Sequence, residues 1–73
     1  MTNEEKLAIL ADVVFDVDIS EVKPEVVLDE FEFWDSMSKL SLISVFDRNC
    51  KKTLKGEDIK QFKTIQDILE AMN

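Results

Sequence analysis

The chain predicts an all-α fold: a small bundle of three main helices plus one short helix, with a long loop between helices 1 and 2. Three observations predict it. Apolar residues recur at helical spacing in three separate stretches. One Gly and one Pro, with no Asn-Gly or Asp-Gly pair, leave no β-hairpin signal and no flexible linker. The 73 residues make one domain, residues 1–73. A domain of this size buries only about 60% of its unfolded surface, and a hydrophobic content of 45% is enough for one small core.

The first helix runs from about Asn3 to Phe15. Thr2 with Glu5 forms a capping box, a hydroxyl taking one free amide and a carboxylate another. Leu7, Leu10, Ala11 and Val14 follow as one apolar stripe, which Ile9 and Val13 widen. Residues 16–35 lack a single period. Pro24 biases Lys23 away from helix. Val26, Val27 and Leu28 suit a short turn packed on the bundle, and Phe31, Phe33 and Trp34 are three aromatics in four residues. So long a loop in a small domain is usually functional or docked by its own side chains.

The second helix starts at Asp35 or Ser36 and runs to about Cys50. Met37, Leu40, Ile43, Phe46 and Cys50 make its main stripe, with Leu42 and Val45 beside it. Gly56 precedes a short helical turn, Glu57 to Gln61. The last helix runs from Thr64 to Met72. Thr64 caps it, and Asp67 brings a negative charge to the positive end of the helix dipole. Ile65, Ile68, Leu69 and Met72 follow the i, i+3, i+4, i+7 rule.

Sixteen acids against nine bases give a net charge of −7. Such a chain is a poor partner for a nucleic-acid backbone. Charge is uneven: residues 1–35 hold eleven acids and two bases, residues 36–73 five acids and seven bases. With no histidine, Ser-His-Asp and Cys-His catalysis and histidine-ligated metal sites are excluded. The single cysteine fits a reducing compartment. No targeting segment is visible, and the longest apolar stretch, residues 7–15, is broken by Asp12 and too short to span a bilayer. The expectation is a cytoplasmic monomer that is not an enzyme and binds neither nucleic acid nor membrane.

The residues that carry chemistry are Trp34-Asp35-Ser36-Met37, where the long loop meets the second helix. Asp and Ser are both preferred helix caps, so a plain cap explains the pair taken alone. In its wider setting this stretch resembles the acyl carrier protein family, whose Asp-Ser-Leu signature opens the second helix. Here Asp35-Ser36-Met37 matches it, with Met for Leu. The run from Trp34 to Ile43 is similar to the subtype with Trp before Asp-Ser, found in stand-alone carriers of specialised pathways. Residues 63–69, Lys-Thr-Ile-Gln-Asp-Ile-Leu, resemble the family's last helix, and the order of elements extends the resemblance over nearly the whole chain.

The resemblance implies a carrier for fatty-acid or polyketide-type biosynthesis. Ser36 would bear a 4′-phosphopantetheine arm, derived from coenzyme A, whose thiol holds acyl groups as thioesters. The implied partners are a phosphopantetheinyl transferase and acyl-loading and acyl-transferring enzymes of ligase, ketosynthase or acyltransferase type. Asp35 would help hold the transferase's Mg²⁺, since carboxylates are hard oxygen ligands. Independently, a helix N-terminus favours a phosphodiester at Ser36. Two alternatives stand beside this reading. One is an aminoacyl or peptidyl carrier, though these more often show paired glycines before the serine, where this chain has Glu32-Phe33-Trp34. The other is an acidic adaptor that is never modified.

Many family members place acids two and five positions after the serine, where basic partners dock. Here those positions are Ser38 and Ser41, with Lys39 between them. Docking is therefore expected through an apolar rim including Met37 and Leu42, and through the acidic loop at Asp29 and Glu30. Lys39, three residues after Ser36, either contacts the arm's phosphate or is an ordinary exposed lysine. Trp34 either lines the arm's path or plugs the loop onto the bundle with Phe31. Cys50 falls on the apolar stripe as a small core residue, a reactive role requiring a positive, partly exposed site. Asp16, Asp18 and Ser20 faintly suggest a calcium loop, but Glu21 stands where such loops need Gly and Val27 where they need Glu, so that reading is rejected.

Overall fold

The computed structural model describes residues 2–72, and within them the chain is a small all-α bundle. Helix α1 runs Asn3–Ile9 and continues without a break as a wider, π-type segment, Leu10–Phe15. The expected capping box is present: Glu5 N–H donates to Thr2 Oγ1 at 3.2 Å, and Thr2 N–H donates to Glu5 Oε1 at 2.9 Å. The Thr2 amide, and after it the Thr2 hydroxyl, lower the Glu5 pKa. Leu10, Ala11, Val14 and Phe15 are buried, whereas Val13 is exposed and does not widen the stripe.

Helix α2 runs Ser36–Val45 and continues as a π-type segment, Phe46–Cys50; helix α3 is Gly56–Gln61 and helix α4 is Ile65–Ala71. The second half of α1 packs on α2, and the first half on α4. The core joins Leu10, Val14, Leu42, Phe46, Ile65 and Leu69, among others. Fully burying a side chain of this kind stabilises the fold by about 1.5–3 kcal/mol. None of the described helices is long and apolar enough to cross a membrane.

With Gly56 as the chain's one glycine, none is available to end the two long helices. Asp16 (φ 54°) and Lys51 (φ 57°) take the left-handed conformation instead. Each lets the next amide fold back onto the helix: Val17 N–H donates to the Ala11 carbonyl at 2.8 Å, and Lys52 N–H to the Phe46 carbonyl at 3.1 Å. A left-handed residue with a Cβ is strained, which is why glycine is the usual choice there.

The loop from residue 16 to 35 is docked by its own side chains. Asp18 accepts from Ser20 N–H at 2.9 Å and caps a 3₁₀ turn, Ile19–Glu21. That amide, then the Ser20 side chain, lowers the Asp18 pKa. Asp16 and Asp18 thus serve helix and turn ends. Val22 and Leu28 are fully buried. Leu28, which opens the 3₁₀ turn Leu28–Glu30, donates its N–H to the Lys63 carbonyl at 2.9 Å; Ile65 N–H returns to the Val26 carbonyl at 3.1 Å. These bonds form one isolated antiparallel bridge, Val27 to Thr64, and there is no strand among the described residues.

Two lysines converge on the C-terminal end of α4. Lys6 is only 2% exposed and donates from Nζ to the Leu69 carbonyl at 3.1 Å. Lys52 Nζ donates to the Ala71 carbonyl at 2.8 Å. Helix C-termini carry unpaired carbonyls and partial negative charge, and α4 has no basic residue in its own last turn. The burial of Lys6 goes beyond the sequence reading. Its signal is spacing: position 6 precedes Leu10 and Val14 in the same i, i+4 row.

Candidate functional site

The start of α2 is built by Asp35 and Ser38. Asp35 has extended backbone, and its Oδ1 accepts from Ser38 N–H at 2.9 Å. Ser38 Oγ returns the exchange, accepting from Asp35 N–H at 2.9 Å and donating to the Asp35 carbonyl at 2.9 Å. This closed ring occupies the helix start and draws Ser38 inward, leaving it 3% exposed. Ser36 stands outside the ring. It is the first residue of the helix, it is exposed, and its hydroxyl has no hydrogen-bond partner among the described residues. The plain-cap reading of the Asp-Ser pair therefore applies to Asp35 alone.

The loop end is held against α1 by aromatic contacts. The Phe31 ring meets Phe15 edge-on at 5.1 Å, Phe33 meets Phe31 at 5.3 Å, and Trp34 lies 6.3 Å from Phe15. Trp34 N–H also donates to the Phe31 carbonyl at 3.0 Å, closing a turn. Trp34 is half-buried against the core, so it has the plug position expected for it beside Phe31. Lys39 is neither fully exposed nor isolated. It is half-buried, with Nζ 5.4 Å from the centroid of the Trp34 ring.

The face of α2 differs from the expected one. Ser38, Leu42, Val45 and Phe46 are buried, while Met37 is 74% exposed and Leu40 63%. Apolar residues occur on most sides of this helix, so hydrophobicity alone leaves its rotation open. The inward turn of Ser38 and the packing on α1 select the face. One expectation about docking changes with it. Leu42 is fully buried and cannot belong to an apolar rim; Leu40 takes that place beside Met37. Of the two positions where many family members carry acids, Ser38 is buried and Ser41 half-buried. Asp29 and Glu30 are exposed on the Leu28–Glu30 turn.

At the far end of α2 lies an open cavity of about 360 Å³, lined by Phe46, Leu54, Phe62 and Ala71 with Lys52 and Asp58. Phe46 and Phe62 stand 6.4 Å apart there. Ten residues along a helix separate this wall from Ser36, roughly 15 Å. Cys50 is half-buried at the edge of the core, and the neighbouring Lys52 ammonium is engaged at the Ala71 carbonyl.

Chemically, the junction offers an exposed hydroxyl, Ser36, at a helix start. The amides of the first helical residues have no carbonyl partner within the helix, and the dipole favours an anion there. No family model matches this chain, and no curated protein or solved structure matches it either.

Proposed function

We propose that the chain is an acyl carrier: it takes a 4′-phosphopantetheine arm on the Ser36 hydroxyl and presents acyl groups to partner enzymes. It performs no reaction of its own. The observation that carries this reading is the exposed Ser36 hydroxyl at the first position of α2, with no hydrogen-bond partner among the described residues, beside an Asp35–Ser38 ring that already caps the helix.

The residues fit the group. An attached phosphodiester would stand at the positive end of a ten-residue helix, a placement that stabilises an anion by about 0.3–1 kcal/mol. The arm supplies a thiol that holds acyl groups as thioesters. The chain contributes a fixed attachment point on a packed helix and an exposed face for recognition. With no histidine in the sequence, Ser36 depends on a transferase for activation. Asp35 keeps a carboxylate one residue away for that enzyme's Mg²⁺. Partner enzymes would dock over Met37 and Leu40 and along the acidic loop, so Asp29→Lys with Glu30→Lys weakens loading by the cognate enzyme.

The test is intact mass after incubation with coenzyme A, Mg²⁺ and a broad-specificity phosphopantetheinyl transferase. A gain of one phosphopantetheine, lost in Ser36→Ala, supports the carrier role and the site together. No gain with several transferases, on folded protein, overturns it. A second reading, an unmodified acidic adaptor, draws on Met37 and Leu40, two large apolar side chains left in solvent on one helix. The same experiment separates the two.

A further inference from the structure

We propose that Lys39 is the phosphate-holding residue of the site. It leaves the Trp34 ring to pair with the phosphodiester on Ser36, so that Trp34 fluorescence reports modification. This rests on Ser36 being the attachment point.

The direction of the Lys39 side chain is the first argument. Side chains on a helix lean toward its N-terminus. Lys39 Nζ lies 5.4 Å from the ring of Trp34, a residue that precedes α2, so the side chain already extends toward the helix start. Ser36 is three positions before Lys39, and residues so spaced are neighbours on a helix surface, with Cβ atoms about 5–6 Å apart. Lys39 is also the one base between Ser36 and Val45.

Competition at the ammonium is the second argument. In the unmodified chain, among the described residues, it faces the quadrupole of a half-buried indole. The nearest carboxylate in sequence, Asp35, is engaged through Oδ1 by Ser38 N–H at 2.9 Å. A phosphodiester on Ser36 brings a full negative charge and unshared oxygens within reach, and a charge-assisted hydrogen bond is stronger than the ring contact. The exchange needs only rotamer changes in a long side chain. It also pins the root of the arm to the first turn of α2, which makes Lys39 a positioning residue.

The readout is built in. The chain has one Trp and no Tyr, so tryptophan emission reports Trp34 alone. Emission and intact mass are followed together as the wild type, Lys39→Gln, Lys39→Arg and Ser36→Ala are treated with coenzyme A, Mg²⁺ and transferase. In the wild type, mass gain is accompanied by an emission change that shrinks at high salt, because an exposed pair is screened. Lys39→Arg retains the change. Lys39→Gln gains mass with no emission change, and its starting spectrum resembles that of the modified wild type. Mass gain with the same emission change in wild type and Lys39→Gln overturns the role of Lys39 and leaves the carrier reading standing. So does mass gain in the wild type with a silent Trp34. No mass gain overturns both.

Discussion

At the start of α4, Thr64 and Asp67 exchange hydrogen bonds: Asp67 N–H donates to Thr64 Oγ1 at 3.4 Å, and Asp67 Oδ2 accepts from Thr64 N–H at 3.2 Å and Lys63 N–H at 2.8 Å. At the start of α2, Asp35 and Ser38 exchange bonds over the same three-residue span. The two caps are equivalent, but the residues just inside them are not. Ile65, first in α4, is fully buried; Ser36, first in α2, is exposed. The difference separates what a helix needs from what it presents. Capping explains Thr64, Asp67, Asp35 and Ser38, packing explains Ile65, and neither explains Ser36.

The largest effect that sharpens this contrast is at the two first positions. Ile65→Ala is expected to cost about 2–5 kcal/mol. Small single-core domains rarely hold more than about 3–5 kcal/mol in total, so circular dichroism should show this variant largely unfolded. Ser36→Ala should shift stability by no more than about 0.5 kcal/mol in urea titration. A loss of 1 kcal/mol or more there, roughly the worth of a cap, would return Ser36 to a structural role.

The caps themselves come next. Thr64→Ala and Asp35→Ala should each cost about 0.5–2 kcal/mol. Ser38→Ala should cost about 1–3 kcal/mol, because it also strands polar groups in a buried position. Two serines two residues apart would then have distinct phenotypes: Ser38→Ala lowers the melting temperature and still accepts phosphopantetheine, while Ser36→Ala nearly keeps its melting temperature and accepts none. Equal melting temperatures for the two variants would remove the distinction.

The far ends of the same helices give a smaller effect of opposite sign. Met72 ends α4 in ordinary helical conformation, whereas Lys51 ends α2 at φ 57°. Lys51→Gly relieves a strain of about 1–2 kcal/mol, partly offset by the greater freedom of glycine in the unfolded chain. A modest rise in melting temperature is expected, and a fall would show that the lysine side chain outweighs the strain.

The smallest effect extends the comparison to α1, whose cap is an exposed carboxylate. The Thr2 amide and hydroxyl depress the Glu5 pKa in the folded state. A depressed folded value means that the contribution is present above the unfolded pKa and disappears as pH falls through the folded one. The wild type should therefore be slightly more stable than Glu5→Gln at neutral pH, with the gap closing on acidification below the usual glutamate range. A gap independent of pH would assign the difference to something other than the charge.

The comparison also explains which features could be read from residues alone. Thr2–Glu5 and Thr64–Asp67 are exchanges across three positions, so their partners lie within one turn of the chain. The α4 stripe has an apolar residue at each required position and, Ala71 apart, polar ones between them, which leaves a single face to bury. Helix α2 has apolar residues on most sides, so Met37 and Leu40 competed on equal terms with Leu42 and Val45. Lys6 is bonded to a carbonyl 63 residues away. Within the candidate site, Asp35 and Ser36 were legible as a motif, while the ring closed by Ser38 and the Lys39–Trp34 contact were not.

The sequence by itself determined where the helices start and stop to within a residue or so, with Gly56 inside α3 rather than before it, that they form a small all-α bundle, and that the Asp-Ser pair stands where the long loop meets the second helix. These depend on caps, breakers and periodicity, whose interactions span a few residues. Tertiary structure decided the rotation of α2, the burial of Lys6, the withdrawal of Leu42 and the division of labour between two nearby serines. Those outcomes depend on which surfaces meet when the loop folds back onto α1 and α4, and the periodicity of one segment does not fix its contacts with a distant one.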